Sequence, residues 1–215
     1  MILDLHVHSV FSIDSPVHPE QYAQRTLELK DDYEIDGFVL MEHDYLIEPQ
    51  KCDLADLARQ YGITILAGVE ADTYWGHILV YGMTPELWAR LKKNEYRKLE
   101  PVALARAVHE AGAVCVPAHP FRGFIGAGAR CAELPGVKLL EGINGANSEA
   151  ENLAARELAR RLGWVFTGGS DAHFLPELGA ALTRLERPVR SMDELAQELK
   201  AGRCSALTRE QARLR

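Results

Sequence analysis

Ile2-Leu3-Asp4-Leu5-His6-Val7-His8 opens the chain, and its reading decides the fold. Ile2 to Leu5 is a short run of buried-strand type that ends on two histidines one residue apart. Alternate residues of a strand point the same way, so both imidazoles can reach one ion. The same ending recurs along the chain. Gly37 to Met41 is a second strand-like run, followed by Glu42-His43-Asp44. Ile63 to Val69 is a third, followed by Glu70; Ala113 to Ala118 runs into His119-Pro120. Trp164 to Thr167 is followed by Gly168-Gly169-Ser170-Asp171-Ala172-His173. Any one of these polar endings alone reads as a hydrogen-bonded strand end. Five together read as a metal site.

Amphipathic stretches separate the strands. Pro19 to Lys30 predicts a helix with Pro in its first turn. Helices are also expected at about Pro49 to Tyr61, at Pro85 to Lys93 and at Pro101 to Ala111. Ser148-x-x-Glu151 is a capping box that starts a helix over Ala150 to Leu162. His77 to Tyr81 and Val137 to Ile143 are further strands, and Ala180 to Leu185 an extra one. Met192 to Ala201 is a closing helix that Gly202 stops. Repeated strand–helix units with short connections predict an α/β fold with a mainly parallel sheet. Six or seven units in 215 residues suit a small, distorted barrel better than an eight-unit one. In such folds the carboxyl ends of the strands share one face, so side chains far apart in sequence converge on one mouth.

The whole chain, residues 1–215, is expected to form one domain, with residues 186–215 a helical and strand extension of it. The net charge of -7 argues against a surface that coats nucleic acid, so no stable nucleic-acid binding is expected. No apolar run approaches the ~18 residues that span a bilayer. The first residues carry Asp4, His6 and His8 and do not read as a signal peptide. Cys52, Cys115, Cys131 and Cys204 form no Cys-x-x-Cys pair and read as reduced thiols of a cytoplasmic protein. Cys115 reads as packing.

The motifs Asp4-Leu5-His6-Val7-His8-Ser9, Glu42-His43-Asp44, Gly68-Val69-Glu70, Ala118-His119-Pro120 and Gly169-Ser170-Asp171-Ala172-His173 resemble the ordered motifs of the PHP (polymerase and histidinol phosphatase) family. The resemblance spans residue 3 to about residue 185. It implies a distorted (β/α)7 TIM-like barrel, two to three divalent ions and, as a rule, phosphoester hydrolysis. It also implies the ligands. His6, His8, Glu70 and Asp171 match a first metal position. Glu70 bridges to a second, completed by His77 and His119. Asp14, His43 and His173 match a third. Asp14 lies in Phe11-Ser12-Ile13-Asp14-Ser15, which lacks the glycine of the family's corresponding segment. An edge histidine without a metal is the rival reading of His77. His18 and His109 match no motif.

The donor types point the same way independently. A mixed imidazole–carboxylate set suits Zn, Mn or Fe and not Ca or a thiolate-bound metal. Three divalent ions against Asp14, Glu70 and Asp171 leave a surplus of about +3, which favours a phosphate dianion. A water bridging two ions has its pKa lowered towards ~7 and can attack as hydroxide. No side-chain nucleophile is then required, and Ser9, Ser12 and Ser170 lack a Gly-x-Ser-x-Gly setting. Asp14, His43 or His173 could protonate the leaving group.

Arg122, one short step beyond His119, reads either as a bidentate clamp on substrate phosphate or as a solvated loop residue. Gly126-x-Gly128 reads as loop and not as a phosphate cradle. Asn144 and Asn147 read as substrate contacts, as supports for the ligands or as helix-start residues. Tyr74 and Trp75 either wall the pocket or pack. The expected substrate is a small phosphorylated molecule or nucleotide. The alternatives are a nuclease acting on short nucleic-acid ends, an amidohydrolase, and a non-enzymatic metal-holding domain. Amidohydrolases bridge their metals with a modified lysine, and no lysine ends a strand here.

Overall fold

The computed structural model describes residues 1–214. In chain order its elements are β1 (Ile2–Val7), α1 (Pro19–Leu29), β2 (Gly37–His43), α2 (Leu54–Tyr61), β3 (Thr64–Thr73), β4 (Gly76–Tyr81), α3 (Pro85–Arg90), α4 (Pro101–Glu110), β5 (Val114–Pro117), β6 (Leu139–Asn144), α5 (Glu149–Leu162), β7 (Val165–Gly169), β8 (Ala181–Leu185), α6 (Met192–Lys200) and β9 (Cys204–Thr208). Seven strands form one curled sheet in the order β5-β4-β3-β2-β1-β8-β9, and β6 and β7 form a parallel pair. That pair fills the gap between the two arms. Asp171 N–H donates to the His6 carbonyl at 2.7 Å and His8 N–H to the Ala172 carbonyl at 2.8 Å, tying the end of β7 to the end of β1. His119 N–H donates to Glu141 Oε2 at 2.8 Å, tying the end of β5 to β6. The result is a distorted TIM-like barrel.

The sheet is less parallel than the sequence pattern predicts. β1–β2, β2–β3 and β6–β7 are parallel, whereas β3–β4, β4–β5, β1–β8 and β8–β9 are antiparallel. The link between β3 and β4 is only Tyr74-Trp75, closed by Thr73 Oγ1 donating to the Gly76 carbonyl at 2.5 Å. A parallel partner needs a crossover of about a dozen residues. Gly76 takes the turn with φ +126°, a conformation open to glycine. β9 lies beyond the helix stop at Gly202 and is the strand of the expected helical and strand extension; it is half-exposed and carries no apolar run. The helix expected from Pro49 starts at Leu54, where the Asp53 carboxylate accepts from Asp56 N–H, and the one expected to reach Lys93 stops at Arg90. Ser148 and Glu151 cap α5 reciprocally, as the sequence predicts.

Most strands are buried on both faces, which explains their near-continuous apolar runs. Leu3, Leu5, Val39, Met41, Leu79, Tyr81 and Val116 fill the barrel interior, closed at the base by Leu195 and Leu199 of α6. On the outer face, Ile2, Val7, Phe38 and Leu40 pack against Tyr22, Ala23 and Leu29 of α1. Val69, Ala71, Ile78 and Val80 do the same against Leu104, Ala105 and Val108 of α4.

Two register shifts aim the polar side chains. Asp4 pairs with Phe38 but Val7 with Leu40, so β1 carries one extra residue. Below the shift Leu3 and Leu5 face inward; above it Val7 joins the outer cluster, leaving His6 and His8 to face inward. Without the bulge, alternation would have continued with Val7 inside and both histidines outside. The Tyr81 hydroxyl donates to the Leu5 carbonyl at 2.9 Å, satisfying the backbone at the irregularity. A second shift in β6, between Glu141 and Ile143, brings Asn144 onto the side of Glu141.

Candidate metal centre

The ligand types sit directly above the apolar interior, and strand alternation puts them there. His43 continues the inward row Val39, Met41 on β2. His77 heads the row Leu79, Tyr81 on β4. Because β4 runs antiparallel, its first residues reach the same rim as the last residues of β1, β2 and β3. His119 and Asp171 follow β5 and β7, both with positive φ, at 28° and 57°. Left-handed backbone at non-glycine residues costs of order 1–3 kcal/mol and concentrates at functional sites.

All nine expected ligands converge. His6, His8, Glu70, His119 and Asp171 are buried, and His77, His43, His173 and Asp14 line an increasingly open side. His6 Nε2 lies 3.0 Å from His8 Nε2, 3.5 Å from Glu70 Oε2 and 3.4 Å from Asp171 Oδ1. His8 Nε2 lies 3.3 Å from Glu70 Oε2 and 3.2 Å from Asp171 Oδ1. One donor atom each of His6, His8 and Asp171 lies within 4.8 Å of the others, as do those of His43, Glu70 and His77, close enough in each case to share a cation. Glu70 Oε1 lies 2.9 Å from His77 Nδ1 and 3.1 Å from His119 Nε2. Asp14 Oδ2 lies 3.3 Å from both His43 Nε2 and His173 Nε2. His43 Nδ1 reaches Glu70 Oε2 at 2.9 Å, joining this outer group to Glu70.

Glu70 Oε2 is the telling atom. It is buried, has three imidazole nitrogens within 3.5 Å, and has no hydrogen-bond partner. A carboxylate oxygen in that position is costly to bury unless a cation joins it. The donor set therefore fits divalent ions.

Groups behind the ligands fix the tautomers. His6 Nδ1 donates to Glu141 Oε1 at 2.9 Å, and His173 Nδ1 to the Asp171 carbonyl at 2.9 Å. His8 Nδ1 donates to Ser12 Oγ at 3.3 Å. Each bond turns an Nε2 lone pair into the cage. Ser9 and Ser12 hydroxyls each donate to Glu42 at 2.5 Å, so both serines are supports and not nucleophiles. The Ser170 hydroxyl donates to the His6 carbonyl at 3.3 Å. Glu42 is a buried acceptor behind the cage and not a ligand. Burial raises its pKa, against the pull of those hydroxyls.

Glu141 is the residue that sequence reasoning missed. It orients His6, accepts the His119 N–H, and accepts from Asn144 Nδ2 at 2.8 Å. Its signal was a single carboxylate inside the apolar run Leu139-Leu140-Glu141-Gly142-Ile143. Asp4 is a second case. It accepts from the N–H groups of His6, Ser170 and Gly179, and burial pushes its pKa up to about 6.

Arg122 is not a solvated loop residue. Its Nε donates to Asn147 Oδ1 and its Nη1 to Asp171 Oδ2, each at 2.6 Å, and its Nη2 donates to Asn144 Oδ1. Asn144 and Asn147 thus hold the guanidinium against a ligand. Gly126 packs: a Cβ there would overlap the Pro120 carbonyl. Trp75 stacks under Arg130, whose guanidinium carbon is 3.7 Å from the ring centre, and Tyr74 is half-exposed. His109 lies at the opposite end of the barrel, beside a cavity of about 270 Å³ that contains none of the cage residues. The four cysteines are free thiols.

Opposing charges set the protonation of the cage. Burial pulls His6 down, but the carboxylates of Asp171, Glu141 and Glu70 outweigh it and hold His6 well above the ordinary imidazole value. Burial likewise opposes His43, and Glu70 and Asp14 raise it to about 9. For His8 burial wins, and its pKa falls to about 4. Burial would raise Glu70 and Asp171, yet the surrounding imidazoles hold both well below the usual carboxylate range.

Gly169 lies against this cage. A Cβ there would overlap His6 Cβ and come 2.9 Å from Glu141 Oε1. Gly169→Ala is expected to cost about 1–3 kcal/mol of stability by overpacking. It should also weaken metal binding, because His6 is the side chain displaced. Thermal melting with and without Mn checks both; a metal-induced shift equal to that of the unmodified protein would contradict the placement.

The sequence model of a family described as PHP-associated (PHP_C) matches residues 149–204. In its ordered motifs the chain resembles the PHP domain family, and the matching sequence model supports that likeness over residues 149–204. No curated protein matches it in sequence. Among solved structures, the chain is similar to PsfC from Pseudomonas syringae PB-5123, with 22% identity over 98% of this chain and 92% of that one and a TM-score of 0.65. It is also similar to a protein assigned as a metal-dependent phosphoesterase from Bifidobacterium adolescentis, with 17% identity over 93% and 96% of the two chains and a TM-score of 0.55. The lesion-specific endonuclease EndoQ from Pyrococcus furiosus matches with 16% identity and a TM-score of 0.67; the alignment covers 96% of this chain but 58% of the endonuclease. At these identities the likeness is one of fold. No helix of the described residues is long and apolar enough to cross a membrane.

Proposed function

We propose that this protein is a metal-dependent hydrolase of phosphate esters, acting on a small phosphorylated molecule or nucleotide. The observation that carries the reading is the unpartnered Glu70 Oε2 at the centre of a shell of imidazole and carboxylate donors spaced for divalent ions. Two to three Mn, Zn or Fe ions held by His6, His8, Asp14, His43, Glu70, His77, His119, Asp171 and His173 would supply Lewis acidity and an activated water.

The chain's own groups do the rest. Glu70 would be shared between ions, since its two oxygens face five imidazoles. The buried inner donors keep bulk water from the bridge. Asp14, His43 and His173 stand where the cage is most open, and in this reading they hand a proton to the departing oxygen. Arg122 has five N–H groups and commits three to protein acceptors. The other two are free to hold phosphate, while Nη1 keeps Asp171 oriented. An amidohydrolase reading is weaker, because Glu70 holds the place of a bridging lysine. A nuclease reading is favoured by the basic segment Lys92 to Lys98 beside the mouth.

The test is turnover of p-nitrophenyl phosphate and bis(p-nitrophenyl) phosphate by chelator-stripped protein reloaded with Mn. We expect hydrolysis of at least one ester at millimolar substrate, abolished by chelator. A metal-loaded preparation that cleaves an N-acyl substrate and neither ester would overturn the proposal.

A further inference from the structure

The connection between α3 and α4 is Leu91–Glu100, and its centre, Lys92-Lys93-Asn94-Glu95-Tyr96-Arg97-Lys98, sets four cations against one carboxylate in a chain of net charge -7. The fold pins this segment to the rim of the cage. Leu99 is buried and bridges to Thr73 at the end of β3. Its N–H donates to the Asp72 carbonyl at 2.9 Å, and its carbonyl accepts from Tyr74 N–H at 3.3 Å. Lys93 Nζ lies 2.8 Å from Asp44 Oδ2, and Lys98 Nζ lies 3.0 Å from Asp72 Oδ1. Asp44 follows the ligand His43, and Asp72 stands two residues past Glu70. The Asn94 side chain accepts from the N–H groups of Tyr96 and Lys98, and Arg97 N–H donates to the Asn94 carbonyl, so the tip is an ordered turn.

Two of the four cations anchor the segment and two do not. Among the described residues Lys92 and Arg97 have no ion-pair partner, and both are exposed. Between them Tyr96 is 74% exposed, and Tyr74, on the same rim, is 50% exposed. Unpaired cations interleaved with exposed aromatic rings are what a single-stranded nucleic acid requires: charge for successive phosphates and flat faces for bases. On an acidic protein, a polyanion needs such a local positive field to approach.

Resting on the phosphoester reading of the cage, we propose that Lys92, Tyr96 and Arg97, with Tyr74, form a track for a short single-stranded nucleic acid whose terminal phosphoester enters the metal centre. Lys92 and Arg97 hold phosphates beyond the scissile one, and Tyr96 stacks on a base. Two phosphate contacts give weak, transient binding, which accords with the absence of an overall basic surface.

The test uses fluorescein-labelled five-nucleotide thymidylate and uridylate strands. Binding is measured by anisotropy on chelator-treated full-length protein, and cleavage with Mn present. We expect Lys92→Ala/Arg97→Ala to weaken strand binding at least tenfold and to flatten its salt dependence by about 0.7 in log–log slope per lost contact. Tyr96→Ala should weaken binding several-fold with the slope retained. In the double variant, the ratio of kcat/KM for the strand to that for p-nitrophenyl phosphate should fall at least tenfold. The track is overturned if the double variant binds the strand with the affinity and salt slope of the unmodified protein, or if the unmodified protein does not bind it. Normal strand binding without turnover of any phosphate ester would instead overturn the reading of the cage.

Discussion

Glu70→Gln is expected to empty the metal centre. The substitution keeps the shape of the side chain and removes its charge, so packing is a minor issue. One amide NH2 would replace an oxygen that faces imidazole nitrogens at 2.9 to 3.5 Å. Loss of a group that merely orients a ligand costs 10- to 100-fold in metal affinity. Glu70 touches His6, His8, His43, His77 and His119 itself, so its loss should exceed the upper end of that range. Phosphoester turnover should fall with the metal content. Glu141→Gln is the calibrating variant. It still accepts from His119 N–H through an amide oxygen but weakens the bond to His6, and it should fall within the 10- to 100-fold range. Isothermal titration with Mn checks both; equal affinity for Glu70→Gln and the unmodified protein would contradict the bridging role.

Metal uptake should release protons. In chelator-treated protein, Asp171, Glu141 and Glu70 hold a proton on His6 against the pull of burial, and Glu70 and Asp14 hold one on His43 up to about pH 9. His8, with its pKa lowered to about 4, is already neutral at pH 7. Ligating imidazoles must be neutral, so loading at pH 7.5 should expel roughly two protons, one each from His6 and His43. Apparent affinity should therefore rise with pH at least until His43 gives up its proton near pH 9. The raised imidazole values also stabilise the chelated fold. That contribution is complete below the unfolded value near 6.5 and is lost as pH rises through about 9 for His43. Titrations in buffers of differing ionisation enthalpy count the protons. No release at pH 7.5 would mean that these imidazoles do not meet the ion.

Much of this site was legible because strand alternation and strand ends are sequence-level facts. His43 continues the row of Val39 and Met41, and His119 follows the apolar run of β5, so both could be placed without coordinates. What could not be read was register. The extra residue in β1 turns His6 and His8 inward, and no residue type in Asp4-Leu5-His6 announces it. Glu141 was hidden for a related reason: a lone carboxylate in an apolar strand has no periodic signature, and its partner His6 lies 135 residues away. The antiparallel β3–β4 hairpin did leave a trace, since Tyr74-Trp75-Gly76 is too short for a crossover. Lys92 to Lys98 escaped notice because whole-chain charge averages over local segments; its position against Asp44 and Asp72 is a tertiary fact.

Elemental analysis of the purified protein, beside Glu70→Gln prepared identically, counts the ions that the cage holds. Two to three equivalents of Mn, Zn or Fe per chain are expected in the unmodified protein, with most of that metal lost in the variant. Fewer than one equivalent after incubation with excess Mn and desalting, or equal metal in both proteins, would contradict the metal assignment.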